Sequence, residues 1–169
     1  LHDLGKPETF SLGEDGRGHF YGHWRESVKK AEAVMDRLRF DNHSKKTILT
    51  LVERHDCELA FSERSVRRNL ARYGEETLRL LLAVKRGDNL AQAPAYRDRQ
   101  QLIDQWEALM NMVIAQGSCF SLSQLAVRGG DLTALGLRGP AVGELLRELL
   151  ELVIEEKLPN DREMLMTYV

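Results

Sequence analysis

Apolar residues recur at the three- and four-residue intervals of a helix with one buried face along nearly the whole chain. Between His23 and Phe40, Val28, Ala31, Val34, Met35 and Leu38 are apolar while Lys, Glu, Arg and Asp fill the intervening positions, which predicts an amphipathic helix. A second is expected from about Asn42 to Asp56 on Ile48, Leu49, Leu51 and Val52, with Asp41 or Asn42 as its N-cap. Ser62 suits the cap of an arginine-rich helix, and Gly74 separates that helix from EETLRLLLAVKRGDNLAQ, whose dense leucines predict burial over much of the surface. Pro94 marks a boundary. A further helix from about Arg97 to Ala115 sets Leu102, Ile103, Trp106, Leu109, Met110 and Val113 on one side.

After QGSCF the texture changes. Gly117, Gly129, Gly130, Gly136, Gly139 and Gly143 crowd one stretch, which predicts short helices joined by tight turns. GPAVGELLRELLELVIEEK reads as a strong helix with Pro140 in its first turn, and Asn160 with Glu163 resembles a capping box for a last short helix. No strand pattern and no internal repeat stands out. The expected fold is all-α: a helical bundle over residues 1–117, then a smaller helical segment over 118–169.

With 43% hydrophobic and 30% charged residues in 169, the chain has an ordinary globular composition, which argues against disorder and leaves room for one domain with at most a small appendage. No apolar run approaches the roughly 18 residues that cross a bilayer, and no basic-then-apolar leader opens the chain, so no membrane and a cytoplasmic location are expected. The opening LHDLGKPETF has no methionine and reads as cut from a longer polypeptide. Cys57 and Cys119 lie far apart without a second thiol near either, so both are expected reduced and buried in packing. A net charge of -2 does not advertise a nucleic-acid protein, but its sign hides unevenness: RSVRRNLAR is strongly basic and Glu144 to Glu156 acidic.

Four of the five histidines, His2, His19, His23 and His55, sit beside carboxylates, glycines or aromatics. His2-Asp3, His55-Asp56 and Asp88 offer the imidazole and carboxylate donors that borderline divalent metals prefer. Adjacent ligands such as His2 and Asp3 converge on one ion at a helix end, where Gly5 fits, and Lys6 lies just beyond to meet a phosphate. Metal with lysine suits phosphate-ester hydrolysis. His19 and His23 have helical spacing, yet Gly22 starts the helix near His23 and leaves His19 in a loop. His43 reads as a solvated helix-start residue.

LHDLGKP, GHFYGHWRESVKKAEAV, LVERHD and LLLAVKRGDNLAQ together resemble the HD superfamily of metal-dependent phosphohydrolases, and within it the HD domain of bacterial CCA-adding tRNA nucleotidyltransferases and related poly(A) polymerases. The resemblance implies His2, Asp3 and Asp88 as ligands of a divalent metal (Mn, Ni, Co, Mg, Fe or Zn). It also implies His23 and His55 on a second metal or the phosphate, and His19 as the extra histidine of the subfamily. That superfamily's first histidine would lie on a helix upstream of residue 1. The stretch from Cys119 to Val169, with LAVRGGDL, LGLRGPAVGELLRELLE and LPND, is similar to the segment that follows HD domains in these enzymes, where the helical body and tail hold tRNA away from a nucleotide-adding head.

Two RNA contacts follow as expectations. Gly139 and Gly143 open a helix, which allows close backbone approach to a phosphate or serves only as a tight turn for helix packing. Arg64, Arg67, Arg68 and Arg72 share much of one helix face and either follow an RNA backbone or form a solvated face. Three readings result: a phosphohydrolase acting on nucleotide or RNA-end phosphates, with Asp3, Lys6, His23 and His55 at the reaction centre; a non-catalytic helical body that binds tRNA; and a stand-alone HD phosphohydrolase of a signalling nucleotide. Nucleotide addition needs a sheet-based head, which these residues do not encode and which would be the N-terminal partner in the same chain.

Overall fold

The structure is a computed structural model that describes residues 1–14, 16–92, 94, 97 and 99–169. Among these residues lie α1 (Lys6–Thr9), β1 (Ser11–Leu12), β2 (Gly18–His19), α2 (His23–Arg37), α3 (Asn42–Arg54), α4 (Glu63–Tyr73), α5 (Glu75–Ala91), α6 (Gln100–Ala115), α7 (Gly129–Ala134), α8 (Pro140–Ile154) and α9 (Arg162–Tyr168), with a 3-10 turn at Leu122–Gln124. The fold class is all-α. No described helix is long and apolar enough to cross a membrane.

Two expected N-caps are in place. The Asp41 carboxylate accepts the Ser44 amide at 2.9 Å and the Ser62 hydroxyl accepts the Ser65 amide at 3.1 Å, each satisfying a donor that the first helical turn leaves open. The last cap differs from expectation. Asp161, not Asn160, accepts the Met164 amide, because the Asn160 side chain is committed elsewhere: it accepts from the Ala126 amide and donates to the Gln124 carbonyl.

The chain forms two compact units, Leu1–Glu58 with Glu76–Ile103, and Leu59–Glu75 with Asp104–Val169. In the first unit, α2 packs on α3 through Ala31, Met35 and Val52, flanked by Val28, Ile48 and Leu49. The second unit gathers Cys119, Leu125, Val127, Leu132, Leu149 and Leu165 from its connections, α7, α8 and α9. Burial of such side chains at about 25 cal/mol per Å² of apolar area is the main force holding each unit together.

Four expectations on finer points change. The hairpin β1–β2, with Ser11 opposite His19 and Leu12 opposite Gly18, was invisible to pattern because two-residue strands carry no period to read. On α6, Ile103, Trp106, Met110 and Val113 are buried but Leu102 is exposed, one position off the stripe that their spacing defines. On α5, Leu78, Leu81 and Leu82 are buried whereas Leu80 and Leu90 face solvent, so that helix buries one face. Cys119 is buried, but Cys57 is only partly so.

Candidate functional site

Backbone geometry brings the first unit's histidines and aspartates together. His2 and Asp3 lie in a turn closed by the Leu4 and Lys6 amides on the Leu1 and Asp3 carbonyls, and this turn feeds α1. The dyad therefore sits in the turn that leads into α1. Gly5 is buried against α2: its amide donates to the Ser27 hydroxyl at 2.9 Å, and a Cβ added to it would lie 2.2 Å from the His23 carbonyl oxygen. Only a glycine lets this turn press so closely on the first turn of α2.

His23 opens α2 and His55 follows the last turn of α3, so α2–α3 packing brings the two rings edge to face beside the dyad. The Nδ1 atoms lie 2.9 Å from the Phe20 carbonyl and 2.7 Å from the Val52 carbonyl respectively. A carbonyl only accepts, so in the neutral rings each Nδ1 carries the proton and each Nε2 presents a bare lone pair. These Nε2 atoms are 3.0 Å apart. Asp3 Oδ1 completes the group at 3.5 Å from His23 Nε2 and 3.9 Å from His55 Nε2, buried and with no hydrogen-bond partner among the described residues.

A second set shares the same carboxylate. His2 Nε2 lies 3.4 Å from Asp3 Oδ2 and 3.6 Å from Asp88 Oδ1, and Lys6 Nζ donates to Asp3 Oδ2 at 2.7 Å. Asp3, His23 and His55 form one group, and His2, Asp3 and Asp88 another, with the donor atoms of each within 4.8 Å of one another. Burial raises the Asp3 carboxyl, but the Lys6 hydrogen bond and the charges of His2, Lys6 and His55 outweigh it and hold it below its ordinary value. Burial, aided by His2 and His23, pushes the His55 imidazole down against the opposing bond to Val52 and the charge of Asp56. The carboxylate is thus ionised and His55 neutral near pH 7, as metal ligands must be.

Lys85 and Ser27 are the functional supports that sequence reading missed. Lys85 on α5 donates to the His55 carbonyl at 2.8 Å and to the Cys57 carbonyl, clamping the end of α3 against the helix that carries Asp88. Its place three residues before Asp88, on the same helical face, was the available signal. Asp56 is exposed, so the second His-Asp pair contributes only its histidine. His19 stacks on Tyr21, with ring centroids 5.0 Å apart, and is not in either donor group.

The arginines of α4 belong to the second unit. Arg67 turns inward, 8% exposed, and is held between Glu63 and Glu156, while Arg64 and Arg68 point outward and meet Glu155, the C-cap of α8. Arg67 is therefore spent on structure. Replacing it with Met should lower the unfolding free energy by about 1–3 kcal/mol, since its charge-assisted bonds to Glu63 and Glu156 are lost. Arg68→Ala, an exposed pair, should change it by less than about 1 kcal/mol, and denaturant unfolding of the two variants checks the contrast. Gly139 caps α8 ahead of Pro140, and Gly143 lies within that helix.

Residues 23–169 match the family described as tRNA nucleotidyltransferase domain 2. The match begins at His23 and leaves the His2-Asp3 turn outside it. The chain is also 30% identical, over 159 residues, to an A-adding tRNA nucleotidyltransferase of Deinococcus radiodurans, covering 89% of this chain and 35% of that protein. No solved structure matches. With the family matched over most of its length, from the first histidine of α2 to its last residue, the chain belongs to the tRNA nucleotidyltransferase domain 2 family.

Proposed function

We propose that this chain is the helical body of a tRNA nucleotidyltransferase and that its first unit carries an HD-type metal-dependent phosphohydrolase centre acting on nucleotide or RNA-end phosphates. The observation that carries the second part is the facing of three bare acceptor atoms, His23 Nε2, His55 Nε2 and Asp3 Oδ1, which repel one another unless a cation lies among them. The donors fit a divalent ion: Asp3, His23 and His55 would hold one, and His2, Asp3 and Asp88 a second, with Asp3 shared. Three imidazoles favour Mn, Fe, Co, Ni or Zn over Mg, which prefers oxygen ligands.

Bound there, a divalent ion supplies a nucleophilic water at neutral pH and polarises a phosphoryl oxygen. The chain's own groups do the rest. The Phe20 and Val52 carbonyls fix the two rings, Lys85 holds the His55 peptide, and Lys6 offers positive charge to an incoming phosphate. The body reading rests on the family match and on the share of the relative that this chain spans; the head that adds nucleotides would lie outside the 35% aligned.

Assay with 2',3'-cyclic nucleotides and p-nitrophenyl phosphate across Mn, Ni, Co and Mg should yield hydrolysis with at least one transition metal and the least with Mg. No hydrolysis with any of them would remove the phosphohydrolase reading and leave the tRNA-holding body. That second reading predicts that tRNA affinity survives removal of the metal ligands. Arg64 and Arg68, with side chains 49% and 60% exposed, remain available to a phosphate backbone, and the backbone at Gly139 and Gly143 is a further candidate contact.

A further inference from the structure

The hairpin between α1 and α2 carries a feature that the metal centre does not use. Phe10 and Phe20 pack at 5.6 Å between ring centroids, and Phe10 also lies against Gly18, where an added Cβ would come within 2.7 Å of its ring. His19 and Tyr21 form a separate stack whose planes differ by 7°. Gly18 and His19 of β2 face opposite ways, and the contacts group Phe10 and Phe20 with Gly18 and Tyr21 with His19. Although it packs on the hairpin, Phe10 remains 54% exposed.

The two faces differ in what lies beside them. Lys6 Nζ sits 5.7 Å from the centroid of the Phe20 ring and donates to Asp3 at 2.7 Å. One ammonium thus joins the Phe10–Phe20 face to the carboxylate shared by both donor groups. A phosphate drawn to the Lys6 ammonium would leave the rest of its molecule beside the Phe20 and Phe10 rings. Exposed aromatic rings next to a phosphate site suit a nucleobase, because every base has a π-face and stacking tolerates sequence. A base-free sugar phosphate gains nothing from them.

We propose that the Phe10–Phe20 face is a nucleobase platform that makes the neighbouring phosphate site selective for nucleotides over other phosphate esters. The proposal rests on the reading that the Asp3 and Lys6 cluster takes a phosphate, and it adds the group that the substrate must carry. Phe10 supplies the open ring; Phe20 links it to Lys6. Gly18 is small because the Phe10 ring occupies the space a side chain would take.

The test is calorimetric titration of the protein with AMP and with ribose 5-phosphate, with and without Mn. The protein should bind AMP about tenfold more tightly than ribose 5-phosphate, a ratio in the range expected for one stacked base. Phe10→Ala should bring that ratio close to one, and Gly18→Val, which displaces the ring without removing it, should lower it in the same direction. Tyr21→Ala, on the opposite face, should keep the ratio. Equal affinities in the unaltered protein, or no measurable binding of either compound, overturn the platform, as does a Phe10→Ala protein that keeps the preference. A preference for AMP in a protein that hydrolyses nothing with any metal supports the platform and overturns the phosphohydrolase instead.

Discussion

Gly5→Ala is expected to lower the unfolding free energy by about 3 kcal/mol and to dismantle the donor cluster with it. The new Cβ would sit 2.2 Å from the His23 carbonyl and 2.7 Å from the Ser27 amide, both backbone atoms in the first turns of α2 that have no room to move aside. The turn carrying His2 and Asp3 must then lift from α2, and the Gly5 amide loses its bond to the buried Ser27 hydroxyl. That separation acts on chemistry as well as stability, because Asp3 reaches His23 and His55 only while the turn is pressed down. Gly87→Ala provides the contrast. Gly87 lies in α5 with nothing beyond its chain neighbours and own helix backbone within 4 Å of its would-be Cβ, so the same substitution there should stabilise by roughly 0.5–1 kcal/mol through helix propensity. Urea unfolding of both variants, with Mn-induced thermal shifts, checks the pair. A Gly5→Ala protein that is as stable as the parent and still stabilised by Mn would show that the turn does not need its close seat on α2.

How legible this was from sequence depends on the kind of information each feature carries. Period and caps are local, so α2, α3 and α4 begin where Gly22, Asp41 and Ser62 place them. The donor set was also within reach. His2, Asp3, His23, His55 and Asp88 are chemically distinctive residues, and the structure brings all five into the two groups that share Asp3. What stayed hidden is what depends on a partner remote in sequence. Arg67 is indistinguishable from Arg64 and Arg68 along the chain, yet its partner Glu156 lies 89 residues away and decides that it faces inward. Gly5 reads as a helix-end glycine until α2 is seen against it. Lys85 resembles any helical lysine, and only the returning end of α3 makes it a clamp. The Phe10–Phe20 face needed a hairpin too short to leave a pattern.

The shared carboxylate makes the second prediction the more telling. Asp3→Asn should abolish metal-dependent hydrolysis and weaken Mn binding by at least about 100-fold, because it removes the carboxylate that both donor groups share while keeping the side chain's shape. His2→Ala, which belongs to one group only, should leave the Asp3–His23–His55 group intact and a measurable affinity. The parent, given metal at 100 times its dissociation constant, should gain about 2.7 kcal/mol of stability; Asp3→Asn should gain almost none. Without metal the two proteins should differ by less than about 1 kcal/mol, since the carboxylate is over a third exposed and Lys6 equally so. Acidity provides an independent check of sign. Asp3 and His55 both titrate below their ordinary values in the folded protein, so the stability they contribute is present above the ordinary values and is lost as pH falls through the lower folded ones. For His55 that loss begins below about pH 6.5, where protons start to charge the unfolded chain, and for Asp3 it begins below about pH 4. Metal uptake should decline across the same histidine range as protons compete for the Nε2 atoms, with one proton released per imidazolium ligand on binding. An Asp3→Asn protein that still takes up Mn with the parent's affinity and pH dependence would place the metal elsewhere than between the His2-Asp3 turn and the two facing imidazoles.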